Sequence, residues 1–247
     1  MQLNQRYHQV FGKIPILGMI HLAGDKPVKR ALEELAIFEE EGVDGAIIEN
    51  YHGTIWNVIE TFKETQKNKT KLVLGVNILP DRFYQSFPLA NRYGADFVQL
   101  DYVAGTYQEG SFDLKSYEKF KALYPEIIVL GGVWPKYYHP IKGSNLEEDL
   151  KTGYQRAEAI VVTGAGTGKE TPLDKIIRFR EVLGEHPLVI GAGLTSENAY
   201  QQLCLADGAI VGTSLKVGDD THNPVDKQRV RDLMAVVKEA REYKASK

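Results

Sequence analysis

The chain has 247 residues, 43% hydrophobic and 26% charged, with a net charge of −3, a composition with enough apolar mass for a large buried core. The balance leaves no basic footprint for nucleic acid, and no apolar run approaches the ~20 residues of a membrane span. Gln2, Asn4, Gln5 and Arg6 stand where a signal peptide has its apolar core, so a cytoplasmic location is expected.

Eight short apolar runs follow one another: Ile14 to Gly18, Asp44 to Glu49, Leu72 to Gly75, Asp96 to Asp101, Ile127 to Gly131, Glu158 to Thr163, Leu188 to Gly191 and Asp207 to Gly212. They are too short for helices and rich in β-branched residues, which suits parallel strands buried on both faces. Every second run opens on an acid, and the others close on glycine. Between them apolar residues recur three and four apart, as in Val28, Leu32, Leu35, Ala36 and Phe38, the spacing of an amphipathic helix. Helices are predicted over about 27–41, 54–67, 82–92, 113–123, 145–155, 172–183, 196–203 and 226–243. Thr171-Pro172 reads as a cap with proline at the first helical position, and Asn223-Pro224 announces the last helix. Cys204, the single cysteine, is placed in a predicted helix; it excludes an intrachain disulfide or a Cys-based zinc knuckle and reads as a small buried hydrophobe. Segments 102–112 and 132–144 are the longest loops and contain no linker. The alternation predicts one (β/α)8 TIM-barrel domain over residues 1–247, a fold that takes about 250 residues.

Chemistry in such a barrel sits at the carboxyl ends of the strands. Those ends carry His21, Glu49, Asn50, Asn77, Asp101, Lys136, His139 and Thr163. Glu49 and Asp101 close even-numbered strands two apart, so both can point into one mouth. There they divide acid and base roles, or bind a hard divalent cation such as magnesium; carboxylates that cap a helix or pair with Lys136 are the structural alternative. His21 and His139 are read as acid–base groups or metal ligands against packed histidines, and His139 also reads as part of an aromatic loop wall. Lys136, among Trp134, Tyr137 and Tyr138, suits Schiff-base or general-base work if desolvated. Pro135 beside it favours an electrostatic clamp for an anion.

Gly191-Ala192-Gly193 and Gly212-Thr213-Ser214 follow the last two strands, with Thr195 nearby. Glycine turns at this place let backbone N–H groups converge on an anion, usually a phosphate; the alternative is that they only permit tight turns. Thr163 to Thr171 invites a nucleotide P-loop reading, but Thr163 stands where its first glycine belongs and Glu170 where the hydroxyl after the lysine belongs. A glycine-hinged lid in which Lys169 closes over a phosphate or carboxylate is the better reading, with a mobile loop carrying a solvated lysine as its counterpart.

Several of these segments resemble the BtpA/SgcQ family: Gly18 to Leu22, Gly42 to Gly45 through Glu49-Asn50, Val162 to Gly168, Gly191 to Thr195 with Glu197-Asn198, Ala206 to Lys216, and Asn223 to Asp226. The likeness runs from about Ile14 to Met234. It implies a phosphate-binding TIM barrel, similar to the ribulose-phosphate-binding group. It implies no settled reaction, since the family is named for an association with photosystem I biogenesis and for a sugar-related gene cluster. The chain departs from the family pattern at the mouth, with Lys136-Tyr137 in place of a Lys-His pair and Gln99-Leu100-Asp101 in place of Arg-x-Asn. The Asn-Asp type pairing expected after Asn77 is also missing.

The expected function is an enzyme acting on a small phosphorylated metabolite by proton transfer, as an isomerase, lyase or aldolase-type catalyst. Glu49, Asp101, His21 and Lys136 would be its catalytic groups, and Gly191, Gly193, Gly212, Thr213 and Ser214 its phosphate site. Asn50, Asn77, Thr163 and Lys169 would serve as ligand or lid residues. The alternative is a non-catalytic assembly or regulatory barrel, which expects a mouth without perturbed titrating groups and an apolar patch on the helical ring. Nucleotide hydrolysis through Lys169 ranks third, and self-association as a homo-oligomer is the protein partner to expect.

Overall fold

The computed structural model describes residues 3–246. Helix α1 (Leu3–Phe11) leads into β1 (Ile16–Ile20), α2 (Pro27–Glu40), β2 (Gly45–Glu49), α3 (Ile55–Asn68), β3 (Val73–Asn77), α4 (Phe83–Tyr93) and β4 (Phe97–Ala104). A small hairpin of β5 (Thr106–Tyr107) and β6 (Gly110–Ser111) precedes α5 (Leu114–Leu123) and β7 (Ile128–Val133). Then come α6 (Leu146–Tyr154), β8 (Ala159–Val162), α7 (Leu173–Leu183), β9 (Leu188–Ile190), α8 (Ala199–Leu203), β10 (Gly208–Val211) and α9 (Lys227–Ala245). Parallel pairing closes the barrel in the order β1-β10-β9-β8-β7-β4-β3-β2, the predicted (β/α)8 architecture.

Strand side chains alternate between two surfaces, and here both are apolar. Leu17, Met19, Ile47, Phe97, Leu130, Val161, Val189 and Ile210 fill the barrel interior. Ile16, Ile20, Ile48, Val76, Val98, Val129 and Val162 face the helices in a separate, larger cluster. The alternation that points Leu17, Ile47, Phe97 and Val161 inward also points the residues above them inward, which sends His21, Glu49, Gln99, Asp101 and Thr163 toward the open end.

The acids that open every second run have a common task at the other end. Asp44, Asp96, Glu158 and Asp207 each precede a strand, and each grips the strand before it twice. Their backbone N–H groups donate to the carbonyls of Ile16, Leu74, Val129 and Leu188 at 2.7–3.1 Å. Their carboxylates accept the backbone N–H of the same four residues at 2.7–3.0 Å. The fourfold phrase is therefore a structural clamp, repeated once per pair of strands.

Observed helix boundaries lie within two residues of expectation except at α8, which starts at Ala199. Thr195 to Asn198 form a turn there instead, with Asn198 Oδ1 accepting the Thr195 N–H and its amide donating to the Gly193 carbonyl. Thr171 is not a side-chain cap, since its hydroxyl donates to the Ala192 carbonyl. Cys204 follows α8 and is partly exposed, not fully buried. Helix α1 was not expected from the sequence. Its Tyr7 and Phe11 pack against the barrel interior, Phe11 meets Phe97 edge-on at 5.1 Å between centroids, and the helix closes the barrel floor. No helix among the described residues is long and apolar enough to cross a membrane.

Candidate active site at the carboxyl ends of the strands

His21, Glu49, Asn77, Gln99, Asp101, Lys136, Thr163, Gly191, Gly193, Gly212 and Thr213 line one cavity at the carboxyl ends of the strands. Its volume is about 150 Å³, close to that at which an interior cavity takes up one ring-sized molecule. The loops around it hold non-glycine residues at positive φ, namely Leu22 (56°), Asp81 (43°), Trp134 (49°) and Tyr137 (68°). Strained backbone of this kind tends to gather where side chains are being aimed at a ligand.

Glu49 is 7% exposed. Burial raises its carboxyl to about 7, reinforced by Asp101 and opposed by Lys136 and the Asn77 hydrogen bond. Asn77 spans the floor of the mouth. Its Nδ2 donates to Glu49 Oε1 at 2.8 Å and to Gln99 Oε1 at 2.6 Å, while its buried Oδ1 has no partner. Asp101 is also pushed up by burial, against the pull of the Tyr138 hydroxyl, which donates to its Oδ2 at 3.0 Å, and of Lys136. His21 is 4% exposed with Nδ1 unpartnered. Burial first, then Lys216, His52 and Lys136, hold its imidazole neutral by lowering its pKa well below the usual value. The mouth thus places a carboxyl poised at neutral pH beside a second acid, a neutral imidazole and a lysine.

The opposite wall is backbone. Gly193 has φ +67°, and a Cβ there would lie 2.3 Å from the Lys169 carbonyl group. A Cβ on Gly212 would lie 2.9 Å from His21 Cε1 and 3.2 Å from Met19 Cβ. Close approach therefore requires glycine at both positions, and at Gly193 the positive φ requires it as well. The Gly191 N–H is already given to the Val162 carbonyl at 2.7 Å, so this residue contributes shape to the wall and no donor.

Four of the expected residues lie outside the cavity or are engaged elsewhere. Asn50 lies outside the cavity, because its amide clamps Leu79 by accepting the backbone N–H at 2.8 Å and donating to the carbonyl at 3.4 Å. Ser214 faces a neighbouring groove and donates its hydroxyl to the Leu194 carbonyl at 2.6 Å. Lys169 is exposed and does not line the mouth, although Thr167 and Gly168 of its loop do. Thr163 lines it, yet its Oγ1 accepts the Lys136 N–H at 2.7 Å and so fixes the lysine loop. His139 is also outside, paired with Glu109 at 2.5 Å. Among the described residues no group of three or more His, Cys, Asp or Glu side chains is arranged to hold a metal ion. Gln99, Tyr51 and Tyr138 were not among the expected site residues, although Gln99 was legible two residues after Phe97 on the inward face.

Comparison with known proteins places this geometry among relatives. The BtpA family model matches residues 13–239. An uncharacterized protein of Methanocaldococcus jannaschii is 28% identical over 91% of this chain and 95% of its own length. The photosystem I biogenesis protein BtpA of Synechocystis is 23% identical over 94% of this chain and 91% of its own. Among solved structures, 3-hexulose-6-phosphate synthase from Salmonella typhimurium superposes with a TM-score of 0.65 at 17% identity, covering 92% of this chain and all (100%) of that one. N-(5'-phosphoribosyl)anthranilate isomerase from Pyrococcus furiosus gives 0.61 at 15%, over 92% and 99%. These likenesses show the fold.

Proposed function

The chain belongs to the BtpA family, and from the groups gathered at its mouth we propose that it is an enzyme acting by proton transfer on a small phosphorylated metabolite. The observation that carries the reading is Glu49, a buried carboxyl raised to about 7 at the mouth of the barrel, where a general base works best near the operating pH. Glu49 takes a proton from carbon next to a carbonyl. The Lys136 ammonium faces the negative charge that grows on the carbonyl oxygen, and Glu49, with Asp101 beside it, returns the proton to the adjacent carbon or to that oxygen. The phosphate rests on the glycine wall formed by Gly193, Gly212 and Thr213. Two of the solved neighbours carry names of enzymes with phosphorylated substrates, which is in keeping with this reading.

Reaction-independent detection suits an unidentified substrate. Incubating the protein with a panel of sugar phosphates in heavy water and following loss of carbon-bound protons by NMR should reveal exchange for at least one compound. Absence of exchange across aldose and ketose phosphates of three to six carbons would remove the reading. Gly212→Val should abolish both exchange and the thermal stabilisation given by that compound, weakening binding at least about tenfold, because its side chain enters the space between His21 and Met19. Undiminished binding would move the phosphate elsewhere.

A binding role without catalysis is favoured by one observation: Trp56 on α3 is 70% exposed, an apolar feature on the helical ring. The perturbed Glu49, Asp101 and His21 weigh against it, and a Trp56→Ala variant that keeps full exchange activity would separate the two.

A further inference from the structure

A second cavity of about 700 Å³ adjoins the mouth, sharing Asp101, Tyr137 and Tyr138 with it. The loop after β3 supplies Asp81, the end of β4 supplies Tyr102, the β5–β6 turn supplies Glu109, and the start of α4 supplies Tyr84. In the strand order, β3 stands opposite β9 and β4 opposite β10. The cavity therefore lies across the mouth from the glycine wall.

Its lining is of one chemical kind. Of fourteen residues seven are aromatic and four are acidic, with no lysine or arginine. Two of the acids are already answered: Glu109 pairs with His139, and Asp113 accepts the Ser116 N–H at the start of α5. Asp81 and Asp101 have no ion-pair partner among the described residues, and only Asp101 feels a nearby cation, Lys136 in the adjoining mouth. Asp81 Oδ1 accepts only uncharged donors, including the Asp101 backbone N–H at 2.8 Å, and Asp101 Oδ2 accepts the Tyr138 hydroxyl. Burial and the neighbouring Asp101 push the Asp81 carboxyl well above its usual range. In the adjoining mouth, outside the lining of this cavity, the buried Asn77 Oδ1 is a further acceptor with no donor.

We propose that this side cavity is a subsite for a small organic ammonium group, carried by the far end of the ligand whose phosphate lies on the glycine wall. An organic cation is attracted by carboxylates and by aromatic faces together, and Tyr102 and Tyr138, 4.9 Å apart at 58°, offer such faces beside Asp101. The phosphate end rests on the function proposed above; the ammonium end rests on this cavity alone.

The test uses tetramethylammonium chloride as a phosphate-free probe of the full chain, with sodium chloride at equal ionic strength as the control. Saturation-transfer NMR should detect binding to the unaltered protein. Asp81→Asn, which keeps the acceptor for the backbone N–H, should weaken it at least tenfold. Tyr84→Ala removes a half-exposed ring from the cavity edge, where loss of fold is not expected, and should weaken binding about threefold. Glucose 6-phosphate, which carries no ammonium, should bind Asp81→Asn as it binds the unaltered protein. No tetramethylammonium binding, or equal binding to the unaltered protein and both variants, overturns the subsite whatever the sugar phosphate does. Failure of glucose 6-phosphate alone counts against the glycine wall and leaves the ammonium subsite supported.

Discussion

At pH 8 the Glu49→Gln variant should be inactive and yet more stable than the unaltered protein. Loss of a general base costs about 10²–10⁴ in rate, so proton exchange should fall by at least a hundredfold. Stability moves the other way because the folded carboxyl ionises near 7, whereas the unfolded one ionises near its ordinary value of about 4.3. Between those values the folded state binds more protons than the unfolded state, and stability falls as pH rises. The cost is complete above about pH 7 and absent below about pH 4. Glutamine never bears it, and its Oε1 still accepts the Asn77 amide. At pH 8 the variant should gain up to about 4 kcal/mol, and the advantage should vanish at pH 4. Urea unfolding at both pH values checks this, together with a rate profile for the unaltered protein that climbs toward a plateau through pH 7. A variant that is equally active, or equally stable at pH 8, would falsify the role given to Glu49.

The barrel was legible because strand burial on both faces forces apolar runs, and the glycine and acid punctuation marks their two ends. The mouth was legible to the extent that residues continue a strand: Glu49, Asn77 and Asp101 are placed by alternation alone. Beyond the last strand residue that rule lapses. Asn50 points sideways to hold Leu79, Ser214 turns to the Leu194 carbonyl, and Lys169 leaves the mouth while its neighbours Thr167 and Gly168 stay. Each outcome depends on loop carbonyls distant in sequence. Helix α1 was missed for another reason: Tyr7, Val10 and Phe11 have helical spacing but span too few residues to stand out, and their partners are the barrel-floor residues Leu17, Ile47 and Phe97.

Glu158→Ala should be the most destabilising of four substitutions at the acid clamps, because the clamps differ in burial and in the cations that meet them. The Glu158 side chain is fully buried and pairs with Arg6 at 3.0 Å and with Lys121, besides accepting the Val129 N–H. Removing it strands two partly buried cations and one backbone donor, a loss of about 3–5 kcal/mol. Asp207 is 25% exposed at the side chain and meets Arg180 and Lys244. Asp44, at 29%, meets Arg241. Asp96 has no ion pair among the described residues, and burial pushes its carboxyl up, so Asp96→Ala should cost only the stranded N–H, about 1–3 kcal/mol. The order of urea midpoints should run Glu158→Ala lowest, then Asp207→Ala, Asp44→Ala and Asp96→Ala. Glu158→Gln, which keeps an acceptor for Val129 but not the charge, should fall between Glu158→Ala and the unaltered protein. A Glu158→Ala midpoint no lower than that of Asp96→Ala would mean that the repeated acids act through the backbone bond alone, with Arg6 and Lys121 contributing nothing.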